Sequence, residues 1–283
     1  MGFRRTSIYK SAAELRQMVA PGLVTAAGLA AVRSNIRPGI TPLELDGIAE
    51  AAIIAAGGVS NFKLVPGYRH TLCISVNADV VHGIPSTRPL EAGDIVSVDG
   101  GADVAGWSGD SAFTVVVPDP ARPELVAARQ HLSDVTEQSL WHGIARLARA
   151  RHLNEVGDSV QGYVEANPAP GSDEPYGILT DYIGHGIGRS MHEEPPVFNY
   201  RVRQKGPEVK AGLVVAIEPM VVAGDIDTFT QDDEWTVTTE DGGDAAHWEH
   251  SVAVHSGGIW VLTAVDGGAA QLAPLGVTPV PIP

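Results

Sequence analysis

The stretch Tyr182–Pro195, YIGHGIGRSMHEEP, decides how this chain is read. His185 and His192 stand seven residues apart, each beside a glycine or a carboxylate, between an apolar run ending at Ile183 and the pair Pro195–Pro196. A histidine after Ile-Gly is by itself more often a turn residue than a ligand. Its neighbours in the chain change that reading. Asp99 ends the run DIVSVD, Asp110 opens SAFTVVV eleven residues later, Glu218 ends LVVAIE, and Glu249 lies just before SVAV. Four carboxylates and a histidine thus fall within or at the ends of strand-like runs, where burying charge is costly unless a cation compensates it.

The surrounding chain can supply the framework. Its 283 residues include 44% hydrophobic ones, enough for a large core, and no linker divides them, so one α/β domain is expected over residues 1–265 with an irregular Pro/Gly-rich tail over 266–283. Cys73 is the single cysteine, which excludes an internal disulfide and any thiolate-rich zinc module. The net charge is −15, while residues 1–70 carry 8 Lys/Arg against 4 Asp/Glu. The acidic excess serves solubility and offers no groove to nucleic acid. No uninterrupted apolar run approaches the about 18 residues of a membrane span, and MGFRRTSIYK is followed by no apolar signal segment, so the cytoplasm is the expected location.

Local signals place the elements. Ser11-Ala-Ala-Glu14 is a capping box opening a helix to about Ile36, which Pro21 should kink or divide. Thr41-Pro42-Leu43-Glu44 opens a second helix that Gly57-Gly58 stops. TLCISV, DIVSVD, SAFTVVV and ILTDYI read as strands, and helical spacing runs from Arg122 to about Arg151 and from Asn154 through Val164. The glycine-rich segment from Gly100 to Gly109 reads as a hairpin loop that would set Asp99 and Asp110 face to face at about 5 Å, repulsive unless something positive lies between. His-Gly-Ile occurs at His82 and again at His185, each followed by two strands bearing one carboxylate apiece, an echo of two half-domains meeting at one site.

One imidazole and four carboxylates form a hard, oxygen-rich ligand set suited to divalent first-row ions. Four anions are too many for one ion, whereas two ions about 3.5 to 4 Å apart can share bridging carboxylates and activate a water for hydrolysis.

These residues resemble a family. HGIP at His82, DIVSVD, GDSAFTV, HGIGRSMHEEP, AIEPM at Glu218, WTVTTED at Trp235 and HWEH at Glu249 look like type I methionine aminopeptidases, from about Ser11 to Thr263. The resemblance implies the pita-bread fold, a pseudo-two-fold pair of half-domains with antiparallel sheet and flanking helices. It further implies two divalent ions (Co, Mn, Fe or Zn) bound at Asp99, Asp110, His185, Glu218 and Glu249, with Asp110 and Glu249 bridging and Glu218 acting also as general base. His82 and His192 would contact the substrate amide and stabilise the tetrahedral intermediate. Tyr68, Cys73 and Trp235 would line the methionine pocket, where Phe62, Val65 and Met191 depart from other members. The substrate implied is the initiator methionine of nascent chains with a small second residue, removed by a monomer with possible ribosome contacts.

Two other readings compete, one an enzyme of the same fold and the other of a different class. Proline-directed peptidases share the metal site but usually carry an extra N-terminal domain, for which the 81 residues before His82 leave little room. A non-catalytic binding module would have replaced ligands, whereas this chain retains all five. Taken singly, Cys73, Met191 and Trp235 read equally well as packing residues.

Overall fold

A computed structural model describes residues 7–283; the reading made of the first six residues lies outside them. Both capping boxes form: Ser11 opens α1 (Ala12–Arg33) and Thr41 opens α2 (Pro42–Ala55), each hydroxyl accepting from the N3 backbone while Glu14 or Glu44 accepts from the cap residue's own N–H. Between them and the next helices lie β1 (Val59–Ser60), β2 (Leu72–Val76), β3 (Asp79–Val81), β4 (Ile95–Val104) and β5 (Trp107–Val116). Helices α3 (Pro123–Leu147) and α4 (Glu155–Ala166) precede β6 (Gly177–Ile178), β7 (Gly184–Gly186), β8 (Glu193–Val197), β9 (Val214–Ile217) and β10 (Met220–Val222). The chain continues through β11 (Thr228–Thr230), β12 (Val237–Thr239), β13 (Ala245–His247), β14 (Glu249–His255) and β15 (Gly258–Val261) to α5 (Ala269–Leu272).

The main antiparallel sheet runs β1-β4-β5-β14-β9-β7-β8, with β2 also on β4 and β15 also on β14. Around the central β5–β14 pair it is close to symmetric, β2-β4-β5 on one side answering β7-β9-β14 on the other. The fold is therefore the curled sheet with flanking helices that the half-domain reading anticipates. The His-Gly-Ile echo itself does not occupy matching places. His185 is on β7, directly beside β9, whereas His82 follows β3 and reaches the site from beyond β2, where Gly83 O accepts from Ile74 N at 2.8 Å.

Alternation along the central strands separates two faces. Val96, Val98, Phe113 and Val252 join the large core with Leu29, Leu140, Trp141 and Ile144 of the helices. Asp99, Asp110, Ala112 and Glu249 point the other way, toward the short strands β3, β10, β12 and β13, which pack around Val81, Met220 and Val237.

The structure corrects several local expectations. Pro21 does not divide α1, which is continuous over 22 residues; its neighbour Gly22 touches Leu262 and Gly109 backs onto residues 21 and 22, so tertiary contact outweighs one missing hydrogen bond. That helix is also long and apolar enough to cross a membrane by length and composition, but half of its most apolar stretch is buried against the sheet. In ILTDYI only Ile178 is in a strand. The expected loop between Asp99 and Asp110 is mostly strand, because Ala105 (φ 54°) and Gly106 (φ 75°) make a two-residue turn of the kind that suits a twisted hairpin. Its other glycines answer crowding: a Cβ on Gly100 would meet Leu72 Cδ2 at 2.4 Å, and one on Gly101 would meet the Asn61 amide at 2.4 Å. Beyond residue 266 the chain is only partly irregular, since Leu272 and Val277 bury in the large core despite the prolines.

Close helix–sheet contact gives a first expected result. A Cβ on Gly22 would lie 2.4 Å from Leu262 O, a backbone atom that cannot turn aside. Gly22→Ala gains about 1 kcal/mol of helix propensity but meets overpacking worth about 1 to 3 kcal/mol. The urea midpoint should fall; a rise would mean that α1 can slide off the sheet freely.

Candidate metal centre and substrate cavity

Strand register assembles the site. Cys73 on β2 pairs with Asp99 on β4, Asp99 pairs with Ala112 on β5, and Ala112 pairs on its other edge with Glu249 on β14. Ile217 pairs with His250, so the same register sets Glu218, the next residue, beside Glu249. These side chains form one row across the sheet. With neighbouring strands about 4.8 Å apart, the Asp99 and Glu249 backbones lie about 10 Å apart, and only the Ala112 methyl fills the floor between them. Asp110 sits two residues along β5, opposite Gly101, so it meets Asp99 diagonally. The direct opposition expected from the sequence does not occur, because the hairpin turns at residues 105–106. Ser111 Oγ donates to Glu249 O at 2.6 Å and Ser251 Oγ to Asp110 O at 2.8 Å, holding β5 and β14 in this register.

The fifth side chain comes from β7. His185 Nδ1 donates to Gly186 O at 2.9 Å, which leaves Nε2 as the free lone pair, 3.3 Å from Glu218 Oε1. Ligand atoms of Asp110, His185 and Glu249 lie within 4.8 Å of one another. Burial pushes all four carboxyls above their ordinary range. At Asp99 the charges of Asp110 and Glu218 add to it, at Glu218 that of Asp110, and at Glu249 those of Asp110, Glu218 and Asp99. Burial also holds the His185 imidazolium down to about 4, which keeps the ring neutral and able to ligate. Asp99 Oδ1, Asp110 Oδ1 and Glu249 Oε1 are buried with no hydrogen-bond partner among the described residues. Unpaired buried oxygens of this kind are costly, and divalent cations satisfy them, so the residues fit a metal.

All ten residues singled out from the sequence line one cavity of about 170 Å³. That is below the about 300 Å³ at which sites for drug-sized ligands begin, so it admits one side chain rather than a folded ligand. One wall is apolar: Tyr68 packs edge-on against Phe62 (6.2 Å) and Trp235 (4.9 Å), with Val65, Cys73 and Met191 beside them. Tyr68 Oη is committed, donating to Leu72 O at 2.7 Å and accepting from Cys73 Sγ at 3.1 Å. Phe62, Val65 and Met191 therefore belong to this wall. Two imidazoles line the same cavity. His192 lies edge-to-face on His185 at 4.4 Å, and His82, against Tyr182 at 5.7 Å, holds the left-handed φ of 58°, a conformation that persists only where surroundings impose it. Burial holds both imidazoles below their usual range, with His192 adding to the shift at His82.

Two residues of the site escaped sequence reading. Asn199 Nδ2 donates to Glu218 O at 3.0 Å, and His247, within the motif HWEH, is buried with Nε2 3.9 Å from Glu218 Oε2. His247 precedes Glu249 by two residues, the strand spacing that shares a face; that spacing was the available signal.

Comparison with known proteins gives concordant matches. Metallopeptidase family M24 matches residues 16–256. Methionine aminopeptidase 1 of Mycobacterium tuberculosis is 44% identical over 92% of this chain and 96% of its own, and methionine aminopeptidase 1 of Bacillus subtilis is 39% identical over 91% and 99%. Among solved structures, methionine aminopeptidase from Rickettsia prowazekii superposes with a TM-score of 0.82 at 30% identity, covering 90% of this chain and 99% of that one. Prolidase from Pyrococcus furiosus shares the fold at a TM-score of 0.67 and 18% identity; the match covers 91% of this chain but 66% of the prolidase.

Proposed function

We propose, from the premise that this chain belongs to metallopeptidase family M24, that it hydrolyses the N-terminal methionine from newly made proteins whose second residue is small. One observation carries the reading: a single small cavity joins an aromatic, thioether-sized wall to buried carboxylate oxygens that lack partners. Asp99, Asp110, His185, Glu218 and Glu249 would hold two divalent ions, Mn, Fe, Co and Zn all being compatible with such ligands. Bound there, the ions would lower the pKa of a water and polarise the carbonyl of the first peptide bond.

The chain's own groups do the rest. Phe62, Tyr68, Cys73 and Trp235 receive the methionine side chain, whose sulfur is attracted to ring edges. Glu218 takes the proton of the attacking water and returns it to the departing amine. His82 and His192 donate to the amide and to the oxygen that gains charge as the carbonyl becomes tetrahedral. All of these side chains come from one chain, so the site needs no second copy to complete it, and the enzyme would act as a monomer. The substrate, a chain still being made, places the enzyme in the cytoplasm near the ribosome.

A peptide bond clamped between the ligand row and the imidazoles would leave little space after the first residue, and misplacement by about 1 Å can cost about 10²-fold in rate. Metal-free protein supplied in turn with Mn, Fe, Co or Zn should cut Met-Ala-Ser and Met-Gly peptides far faster than Met-Lys peptides, and Ala-Pro peptides hardly at all. Comparable rates for Met-Lys would remove the small-residue rule, and preference for Ala-Pro would make the enzyme a proline-directed one.

A further inference from the structure

Behind Glu218 lies an imidazole that neither the five ligands nor the substrate wall uses. His247 is 1% exposed, and its Nε2 has no hydrogen-bond partner among the described residues. Its backbone is fixed on both sides. The N–H faces Thr114 Oγ1 at 2.9 Å and Ser97 Oγ at 3.2 Å, and the carbonyl accepts from Thr114 Oγ1 at 2.7 Å. The ring is thus delivered to one place, with Nε2 directed at Glu218 Oε2, 3.9 Å away.

Glu218 lies between two imidazoles, and only one of them can give it a proton. His185 Nδ1 is already the donor to Gly186 O, so a ligating His185 presents a lone pair at Nε2, and its 3.3 Å approach to Glu218 Oε1 supplies no hydrogen. Both of these atoms are acceptors. The other oxygen, Glu218 Oε2, is the one near the nitrogen of His247. A movement of about 1 Å by the carboxylate brings that pair within hydrogen-bond range, and it satisfies the buried nitrogen in the same step.

We propose that His247 is a positioning residue that donates from Nε2 to Glu218 Oε2 and so keeps Oε1 turned into the cavity. The inference rests on the assignment of Glu218 as ligand and base given above. Without that donor the carboxylate is free to rotate, and the oxygen that serves the reaction loses its fixed direction. Outer-shell partners of this kind typically affect metal affinity or activity by about 10- to 100-fold.

The test compares three substitutions. His247→Leu removes the donor, His247→Gln can place an amide nitrogen near the position of Nε2, and His247→Asn stays polar but falls one methylene short. For each, kcat and KM on Met-Ala-Ser are measured together with Mn²⁺ affinity by calorimetry on the metal-free protein. His247→Leu is expected to lower kcat about 10- to 100-fold with KM within about twofold, and to weaken Mn²⁺ by about 10-fold or more. His247→Gln should regain most of both losses, and His247→Asn should not. Equal kcat and equal Mn²⁺ affinity in the Gln and Asn proteins would overturn the proposal, as would wild-type values in the Leu protein. If the Leu protein does not fold, the Gln and Asn pair decides alone. A Glu218→Gln protein run beside them separates the two levels: wild-type turnover there overturns the assignment of Glu218, whereas an inactive Glu218→Gln protein with a fully active His247→Leu protein overturns only the role of His247.

Discussion

Asp110→Asn protein is expected to lose metal and turnover together. The substitution keeps the side chain's shape and removes one negative charge from a cluster in which Asp110, His185 and Glu249 already bring their ligand atoms within 4.8 Å of one another. A neutral amide is a far weaker ligand for a hard divalent ion. Outer-shell changes alone cost about 10- to 100-fold in affinity, so loss of a shared ligand should cost at least about 100-fold, with kcat on Met-Ala-Ser falling to background. Elemental analysis after reconstitution reads the first effect and peptide hydrolysis the second. The sign for stability is opposite. Burial pushes the Asp110 carboxyl up, which means that its ionised form opposes folding when no cation is present. Metal-free Asp110→Asn protein should therefore unfold no earlier than metal-free wild type at neutral pH. Full occupancy with normal turnover would take Asp110 out of the ligand set, and early unfolding without metal would recast it as a structural residue.

His192→Ala separates chemistry from metal binding. His192 sits at the mouth of the cavity, its ring edge-to-face on His185 at 4.4 Å, close to the ligands yet outside their cluster. A donor aimed at the carbonyl oxygen stabilises the tetrahedral arrangement more than the substrate, because charge on that oxygen grows along the reaction. Losing one such donor typically costs about 3 to 4 kcal/mol, or about 10²- to 10³-fold in turnover. The variant should fold, retain its metal and show that fall in kcat with little change in KM. A kcat within about twofold of wild type would make His192 an ordinary surface residue, since such changes usually stay under about 0.5 kcal/mol. Loss of metal along with activity would move His192 into the ligand set and put His185 outside it.

Much of this architecture was legible because its signals are local. A capping box needs four consecutive residues, and Ser11–Glu14 and Thr41–Glu44 both form as their spacing requires. The strands around Asp99 and Asp110 follow from short β-branched runs, and the methionine-aminopeptidase resemblance rests on motifs that each span a few residues. Pro21 misled for the opposite reason: its cost is local, whereas the packing of α1 on Gly109 and Leu262 involves residues far along the chain. The glycines at 100, 101 and 109 looked like a loop because sequence cannot distinguish a glycine that bends the chain from one that makes room for a neighbour.

By itself, then, the sequence determined which side chains could ligate, which elements would carry them, and the family to which the chain belongs. The tertiary structure alone decided their arrangement. Cys73, Asp99, Ala112 and Glu249 form a row only because paired residues as far apart as Ala112 and Glu249 meet in one register, and a shift of one residue would turn every side chain of a strand to the opposite face. The diagonal meeting of Asp99 and Asp110 depends on that same register, and the buried nitrogen of His247 behind Glu218 on the pairing of His247 with Met220 in β10. Local propensity carries no information about it, because register is set by contacts between segments that meet only after the chain has folded.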